Sequence, residues 1–346
     1  MAVAAAGAAP ANITNARLTS RALSGPLARA IDAEARAAAE PAWIAWEVPA
    51  NASGGRACCS WGDGSATRCG CSLDEREGVS LGDRKDAGKV SLEASSVVVV
   101  LSRVQSGAVQ RVVAYSADCE IDAGGRHVVV LSGVSPAESV AWLADLAGST
   151  GAIERRVSAG AVAAMAFHAA PEADTALERL ALRPDAGKPA QEAVFWMGAA
   201  RGRVGFEGVR RVLAKATTDT LKERAIFALS ISKEGDAVPV LIDAARNSAS
   251  GKVRGQALFW LGQKAGAKVA GTLADAVEKD PDTKVKTQAV FALSQLPPGE
   301  GVPLLIQIAR TNRNAAVRKQ AMFWLGQSKD SRALAFFEEV LTGARR

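Results

Sequence analysis

The stretch QALFWLG, residues 256–262, returns as QAMFWLG at residues 320–326. Between the two stands QAVFALS (288–294), and upstream come RAIFALS (224–230) and EAVFWMG (192–198). Phe195, Phe227, Phe259, Phe291 and Phe323 are thus each 32 residues apart, and Ala163 holds the same phase one step earlier. A fixed interval of this length marks a repeat array. Each interval carries two helical patterns. The first (helix A) holds the Phe word. The second (helix B) follows a short turn: GVRRVLAKA (208–216), AVPVLIDAAR (237–246), VAGTLADAVE (269–278), GVPLLIQIAR (301–310) and RALAFFEEVL (332–341). Neither helix can bury its apolar face alone, whereas stacked neighbours build a continuous core.

A longer period overlies the first. Trp196, Trp260 and Trp324 recur every 64 residues, with Ala228 and Ala292 in the alternate slots. Pro239 and Pro303 open alternate B helices, and Arg246 and Arg310 close them. Alternating large and small residues across facing positions let layers interdigitate.

Upstream of the array the pattern changes. Residues 17–40 are rich in strong helix formers and predict a helix, with Pro26 in an early turn and Pro41 as its stop. WIAWEV (43–48) alternates, placing Ile44, Trp46 and Val48 on one face. Residues 50–90 have no period and predict a long loop pinned by cysteines. SVVVVLSRV (96–104), VQRVVAYS (109–116) and HVVVLSGV (127–134) predict three strands, which short turns would make antiparallel. Ser135-Pro136-Ala137-Glu138 predicts a capped helix start, with Glu138 closing a capping box.

The chain has 346 residues, 48% hydrophobic and 23% charged, a globular composition. No apolar run approaches the roughly 20 residues of a spanning helix. The net charge of +6 is unevenly spread. Residues 1–150 carry 13 basic against 16 acidic side chains, and residues 151–346 carry 29 against 20. A basic array suits an acidic protein, nucleic acid or anionic lipid, and it also suits a plain solvated helical surface.

All five cysteines, Cys58, Cys59, Cys69, Cys71 and Cys119, lie in the first half. Adjacent cysteines and a Cys-x-Cys pair are poor matches to zinc knuckles. Disulfides fit better and imply an oxidising, extracytoplasmic compartment, periplasmic or secreted. The odd count leaves one thiol over, and connectivity stays open. Ala6-Gly7-Ala8 is similar to the end of a signal peptide.

The catalytic inventory is poor: two histidines, His127 and His168, and one tyrosine, Tyr115, with no nucleophile elbow, P-loop or dinucleotide fingerprint. No catalytic, cofactor-binding or metal-ligating residue is assigned. Two surfaces are candidates for a protein partner. Gln256, Trp260 and Gln263 stand at i, i+4 and i+7 on one helix stripe, and Gln320, Trp324 and Gln327 repeat it. The same Trp also fits simple packing between repeats. On the B helices, Arg210, Arg211, Lys215, Arg246 and Arg310 offer positive charge to an acidic segment.

Val253-Arg254, Val285-Lys286 and Val317-Arg318 open successive A helices, which resembles HEAT repeats. The 32-residue length is closer to the short HEAT-like repeats named after phycobilisome lyases. FALSQLP (291–297), VRKQAMFWLGQS (317–328) and RALAFFEEVL (332–341) are similar to a bacterial family of exported HEAT-repeat proteins. So, at the front, are WIAWEVP (43–49), Cys58-Cys59 and DCEIDAGG (118–125). The resemblance implies an extracytoplasmic scaffold and brings no reaction with it. HEAT-like iron hydroxylases hold metal with His-Glu pairs, and this chain has no His-Glu dipeptide.

The expectation is a mainly α chain. A tail or signal remnant occupies 1–16, a cysteine-containing α+β domain with an antiparallel sheet 17–134, and a bridging helix 135–150. A HEAT-like α-α superhelix of about six two-helix repeats fills 151–346. The expected role is protein binding; nucleic-acid binding by the basic array, or a lyase-like or thiol-based enzyme, are the alternatives.

Overall fold

A computed structural model describes residues 12–54, 59–61, 67–69, 71–73, 96–148, 154–264 and 266–343. Its backbone contacts divide the chain into two units, Met1–Gly208 and Val209–Arg346. The architecture is mainly helical, with a repeated array of helix pairs and a small sheet domain before it.

In the first unit, strands β1 (Ile13–Thr14) and β2 (Arg17–Ala22) precede helix α1 (Leu27–Ala37) and strand β3 (Ala42–Pro49). Three short strands follow: β4 (Cys59–Trp61), β5 (Thr67–Cys69) and β6 (Cys71–Ser72). The hairpin β7 (Val97–Gln105) and β8 (Ala108–Ser116) comes next, then β9 (Ile121–Asp122) and β10 (His127–Ser132). Five strands form one sheet in the order β2-β10-β3-β7-β8. β3, β7 and β8 are antiparallel, as the short turn at Ser106-Gly107 requires, and both turn residues take positive φ.

β10 departs from the expected antiparallel run. It lies between β2 and β3 and is parallel to both. Two features account for this. Val128 to Leu131 are all buried, the pattern of a central strand covered on both faces. The connection from β8 also leaves the sheet. Its β9 joins a separate three-stranded sheet, pairing parallel with β1 and β6, before the chain returns.

The predicted helix over 17–40 is shortened to α1. Residues 17–22 form edge strand β2 alongside β10, and Gly25, at φ +96°, turns the chain into the helix. Pairing along β10 outweighs local helix propensity, which is worth only tenths of a kcal/mol per residue. β3 buries both faces. Trp43 and Ala45 join Leu101, Val128 and Val130 under Ile13, Leu73 and Ile121. Ile44, Trp46 and Val48 point the other way and are also buried. Trp46 meets Trp142 edge to face at 5.4 Å.

Helix α2 (Pro136–Ala147) begins as the sequence predicts, with Ser135 Oγ accepting the Glu138 N–H at 3.2 Å. Glu138 does not close the box on its own helix. Its carboxylate accepts the Leu27 N–H at 2.6 Å and so caps α1, which Pro26 leaves without a side-chain cap.

The helix pairs follow: α3 (Glu154–Phe167) with α4 (Glu172–Ala181), α5 (Lys188–Ala200) with α6 (Gly202–Lys215), and α7 (Asp219–Ile231) with α8 (Ala237–Asn247). Then come α9 (Gly251–Lys264) with α10 (Ala270–Lys279), α11 (Thr283–Ser294) with α12 (Pro298–Thr311), and α13 (Ala315–Gln327) with α14 (Ser331–Thr342). The two-unit division falls within α6, so the first unit also holds α3, α4 and α5. There α3 lies directly on β8, where a Cβ on Gly160 would stand 2.0 Å from the Val112 carbonyl oxygen.

In the second unit the A helices pack directly on one another, α7 on α9, α9 on α11 and α11 on α13. Small residues permit this. A Cβ at Gly262 would meet the Ala292 oxygen at 2.8 Å and its Cβ at 2.9 Å. Ala225, Ala257, Ala289 and Ala321 recur at the repeat interval, and all are buried.

Candidate partner-binding surfaces

The Trp stripe on the A helices is mainly a packing device. In the second unit the rings form a ladder: Phe227 to Trp260 at 5.0 Å, Phe259 to Phe291 at 5.7 Å and Phe291 to Trp324 at 4.9 Å. Each Trp also meets its own neighbouring Phe edge to face, at 4.9 and 5.0 Å. Beside each preceding Phe stands Ala228 or Ala292, both fully buried. The large-small alternation every 64 residues is therefore used inside the stack. The indole nitrogens of Trp260 and Trp324 have no oxygen or nitrogen acceptor and no accessible surface. An atom shut off from water is equally shut off from an acceptor on a partner.

The glutamines divide. Gln256 and Gln320 are half-buried, whereas Gln263 and Gln327 are exposed. Gln263 donates to Gln295 at 3.3 Å, one repeat on. Gln327 lines a cleft of about 300 Å³ with Trp324, Gln295, Pro298 and Leu305.

The B-helix cations also divide. Arg210, Arg211 and Lys215 are exposed on α6. Arg210 borders a cleft of about 560 Å³ whose walls include Leu213, Lys222, Pro239, Val240, Asp243 and Val253. Arg246 and Arg310 instead brace successive B helices. Arg246 faces Asp275 at 3.9 Å and Thr272 at 3.3 Å, and Arg310 grips Glu339 at 2.5 Å. Each reaches 29 residues forward, so the 64-residue period reappears as an ion pair across alternate junctions. The guanidinium of Arg310 also lies over the Phe336 ring at 5.4 Å. Asp275, Lys279 and Arg246 line a second cleft of about 450 Å³.

Sequence reasoning missed two buried ion pairs. In the second unit Arg254 binds Asp280 through both oxygens, at 2.7 and 3.0 Å, and donates to the carbonyls of Ser248 and Ala249. The sequence points to Asp282 as partner of the Arg that opens an A helix. Asp282 instead caps α11 through the Lys284 N–H, and Asp280 takes the pair. Arg318, 64 residues after Arg254, keeps the carbonyl contacts, to Asn312 and Arg313, while Asn312 stands where Asp280 did. In the first unit Arg201 binds Asp174 at 2.7 Å twice and donates to the carbonyls of Ala166, His168 and Ala170. These arginines satisfy helix-end carbonyls between repeats. The signal was an Arg at or next to an A-helix end with an Asp 26 or 27 residues away.

His168 is fully buried. Its Nδ1 meets the Ala164 carbonyl at 2.8 Å, which can only accept, so Nδ1 carries the proton. Nε2 therefore accepts from Ser139 Oγ at 2.8 Å, and Ser139 in turn accepts from Trp46 Nε1 at 2.8 Å. Burial, with the nearby Arg201 charge in the same direction, pulls the imidazole down to about 4 against the Ala164 hydrogen bond. This buried chain joins β3, α2 and α3 and has no opening for a substrate. His127 contacts Thr19 at 2.9 Å across β10 and β2.

Of the cysteines, Cys119 is buried and disulfide-bonded. Cys58 lies outside the described residues, as do the side chains of Cys59, Cys69 and Cys71. The backbones of Cys59 and Cys69 stand directly opposite in the β4–β5 pair. Among the described residues no group of three His, Cys, Asp or Glu could hold a metal, and no described helix is long and apolar enough to cross a membrane.

Residues 238–300 and 270–345 match the family model for HEAT repeats. Among solved structures, Escherichia coli YibA is similar at TM-score 0.38 and 14% identity, over 60% of this chain and 77% of that one. Human deoxyhypusine hydroxylase, solved with glycerol, is similar at TM-score 0.30 and 16% identity, over 59% and 76%. A comparison with curated proteins finds no match.

Proposed function

We propose that this chain is a non-catalytic, extracytoplasmic scaffold that binds a protein segment along the B helices of its second unit. The observation that supports this is the α6–α8 cleft, where Arg210 and Lys222 stand beside the apolar walls of Leu213, Pro239, Val240 and Val253. Arg211 and Lys215 extend the positive charge along the same helix. An acidic segment with apolar side chains between its carboxylates matches both features. HEAT repeats commonly serve as protein-interaction scaffolds, and charge of this kind steers encounter and selects partners.

The test is capture of the intact protein from its native cells after fractionation between cytoplasm and envelope. A stoichiometric envelope protein that binds the parent chain and is lost from R210E/R211E/K215E supports the reading. Retention by that triple variant overturns the cleft. Cytoplasmic recovery with nuclease-sensitive partners released steeply by salt overturns the scaffold in favour of nucleic-acid binding.

The export reading rests on the cysteines. Disulfides at Cys119 and within the Cys58, Cys59, Cys69 and Cys71 group suit an oxidising compartment. Protein taken from its native compartment and denatured without reductant is expected to titrate fewer than the five thiols of the sequence. Five titrating thiols overturn it.

A further inference from the structure

The last repeat leaves uncovered the face on which every earlier repeat stacks its successor. Ile226, Leu258 and Val290 occupy one position at 32-residue intervals and are each fully buried. Met322, next in the series, is 37% exposed. The B helix behaves alike. Val302 and Ile308 on α12 are 4% and 5% exposed, while their counterparts Leu334 and Val340 on α14 are 62% and 50% exposed. Leu341, at 84%, completes the stripe with Leu334 seven residues before it, and Phe323 adds a half-open ring. Terminal repeats that face water ordinarily carry a polar outer surface. This one carries five large apolar side chains together, the mark of an interaction site.

We propose that this face is closed by a second copy of the same chain, α13 and α14 packing on their own counterparts about a two-fold axis. Two observations select this occupant. The face continues an established interface. The positions that bury Val290, Val302 and Ile308 under the next helix pair are the positions left open here, so its natural complement is a helix pair of the same kind. Head-to-tail stacking needs an open face at the start of the array, and that face is covered, because α3 lies on β8 with Gly160 against the Val112 carbonyl. One open end and one sheet-covered end leave tail-to-tail contact, which is isologous and stops at two. The contact lies apart from the α6–α8 cleft residues and does not depend on the partner proposed for them.

The experiment is sedimentation of the intact chain over a range of concentrations, with L334E/L341E and with L18E, which alters an exposed leucine on β2. The parent and L18E are expected to sediment as dimers. L334E/L341E is expected to weaken association at least about 100-fold, since four charges enter the centre of a two-fold contact. Both altered leucines are exposed within a single chain, so its circular dichroism should match the parent's. A parent that stays monomeric overturns the proposal. So does a dimer indifferent to L334E/L341E, or a concentration-dependent ladder of open-ended polymers.

Discussion

Asp280 holds Arg254 by two parallel hydrogen bonds, 2.7 and 3.0 Å long, in the junction between α9 and the start of α11. Both side chains are about nine-tenths buried. Arg254 spends its remaining donors on the Ser248 and Ala249 carbonyls, and Asp280 also accepts the Asp282 N–H. The pair thus satisfies the turn before α9 and the turn before α11 together. Removing one partner leaves the other charge buried and alone. Arg254→Ala or Asp280→Ala is expected to cost about 3–5 kcal/mol, and the double variant less than the sum. Denaturant unfolding of the three variants checks this, and strict additivity would contradict it.

The same pair predicts acid sensitivity. Burial alone would raise the Asp280 carboxyl, but the Arg254 hydrogen bonds and the Asp282 N–H outweigh it and hold it below the ordinary value. A carboxylate lowered on folding stabilises at pH values above its unfolded pKa, near 4, and loses that contribution as pH falls below it. Asp280→Asn should flatten this part of the stability profile.

His168 acts at higher pH. Its folded pKa of about 4 lies below the unfolded value of 6.5, so the unfolded chain binds the extra proton between the two. Stability is then full above pH 6.5 and falls towards pH 4, by about 1.4 kcal/mol per pH unit. Melting temperatures across this range should decline in the parent. In His168→Gln the decline should be smaller, although that variant starts from lower stability. An unchanged slope in the variant would rule out His168 as the source.

Gly262 is a close-approach position. Gly262→Val places side-chain atoms where Ala292 already stands, and is expected to cost about 1–3 kcal/mol by forcing α9 and α11 apart. Gly271, on α10, has nothing within 4 Å of an added Cβ. Gly271→Ala should therefore gain about 0.5–1 kcal/mol from backbone entropy alone. Opposite signs in thermal melts are the expected readout.

Glu138 joins two helices rather than one. Glu138→Ala is expected to lose about 0.5–2 kcal/mol, the range for a helix cap. Hydrogen exchange should place the loosening at Leu27 and the first turn of α1, while the Ser135 cap of α2 persists. Faster exchange confined to α2 would show that the carboxylate serves its own helix instead.

The array was legible because its information is local and repeated. One Phe word at a fixed interval gave the helix pairs, their number and the register of Ala228 and Ala292 beside the Trp rings. The paired clefts and buried ions were not. Asp280 and Asp282 are equivalent as letters, two residues apart, and only the direction of the chain leaving α10 selects Asp280 for Arg254. Arg246 and Arg310 look like Arg210 in the sequence, yet the facing carboxylates of Asp275 and Glu339 make them braces. The strand at 17–22 was hidden for the same reason, since its partner β10 lies more than 100 residues downstream.

Composition and periodicity by themselves determined the helical repeats, the change to strands upstream and the confinement of cysteine to the first half. Those features depend on residue spacing within one or two turns, which the helix and strand periods impose directly. The tertiary structure alone decided the parallel seat of β10, the inward role of Trp260 and Trp324, and the burial of His168. It also left Met322, Leu334 and Leu341 open at the last repeat. The physical reason is that burial belongs to a residue's neighbours. Identical positions in successive repeats are core where another helix pair follows and surface where none does.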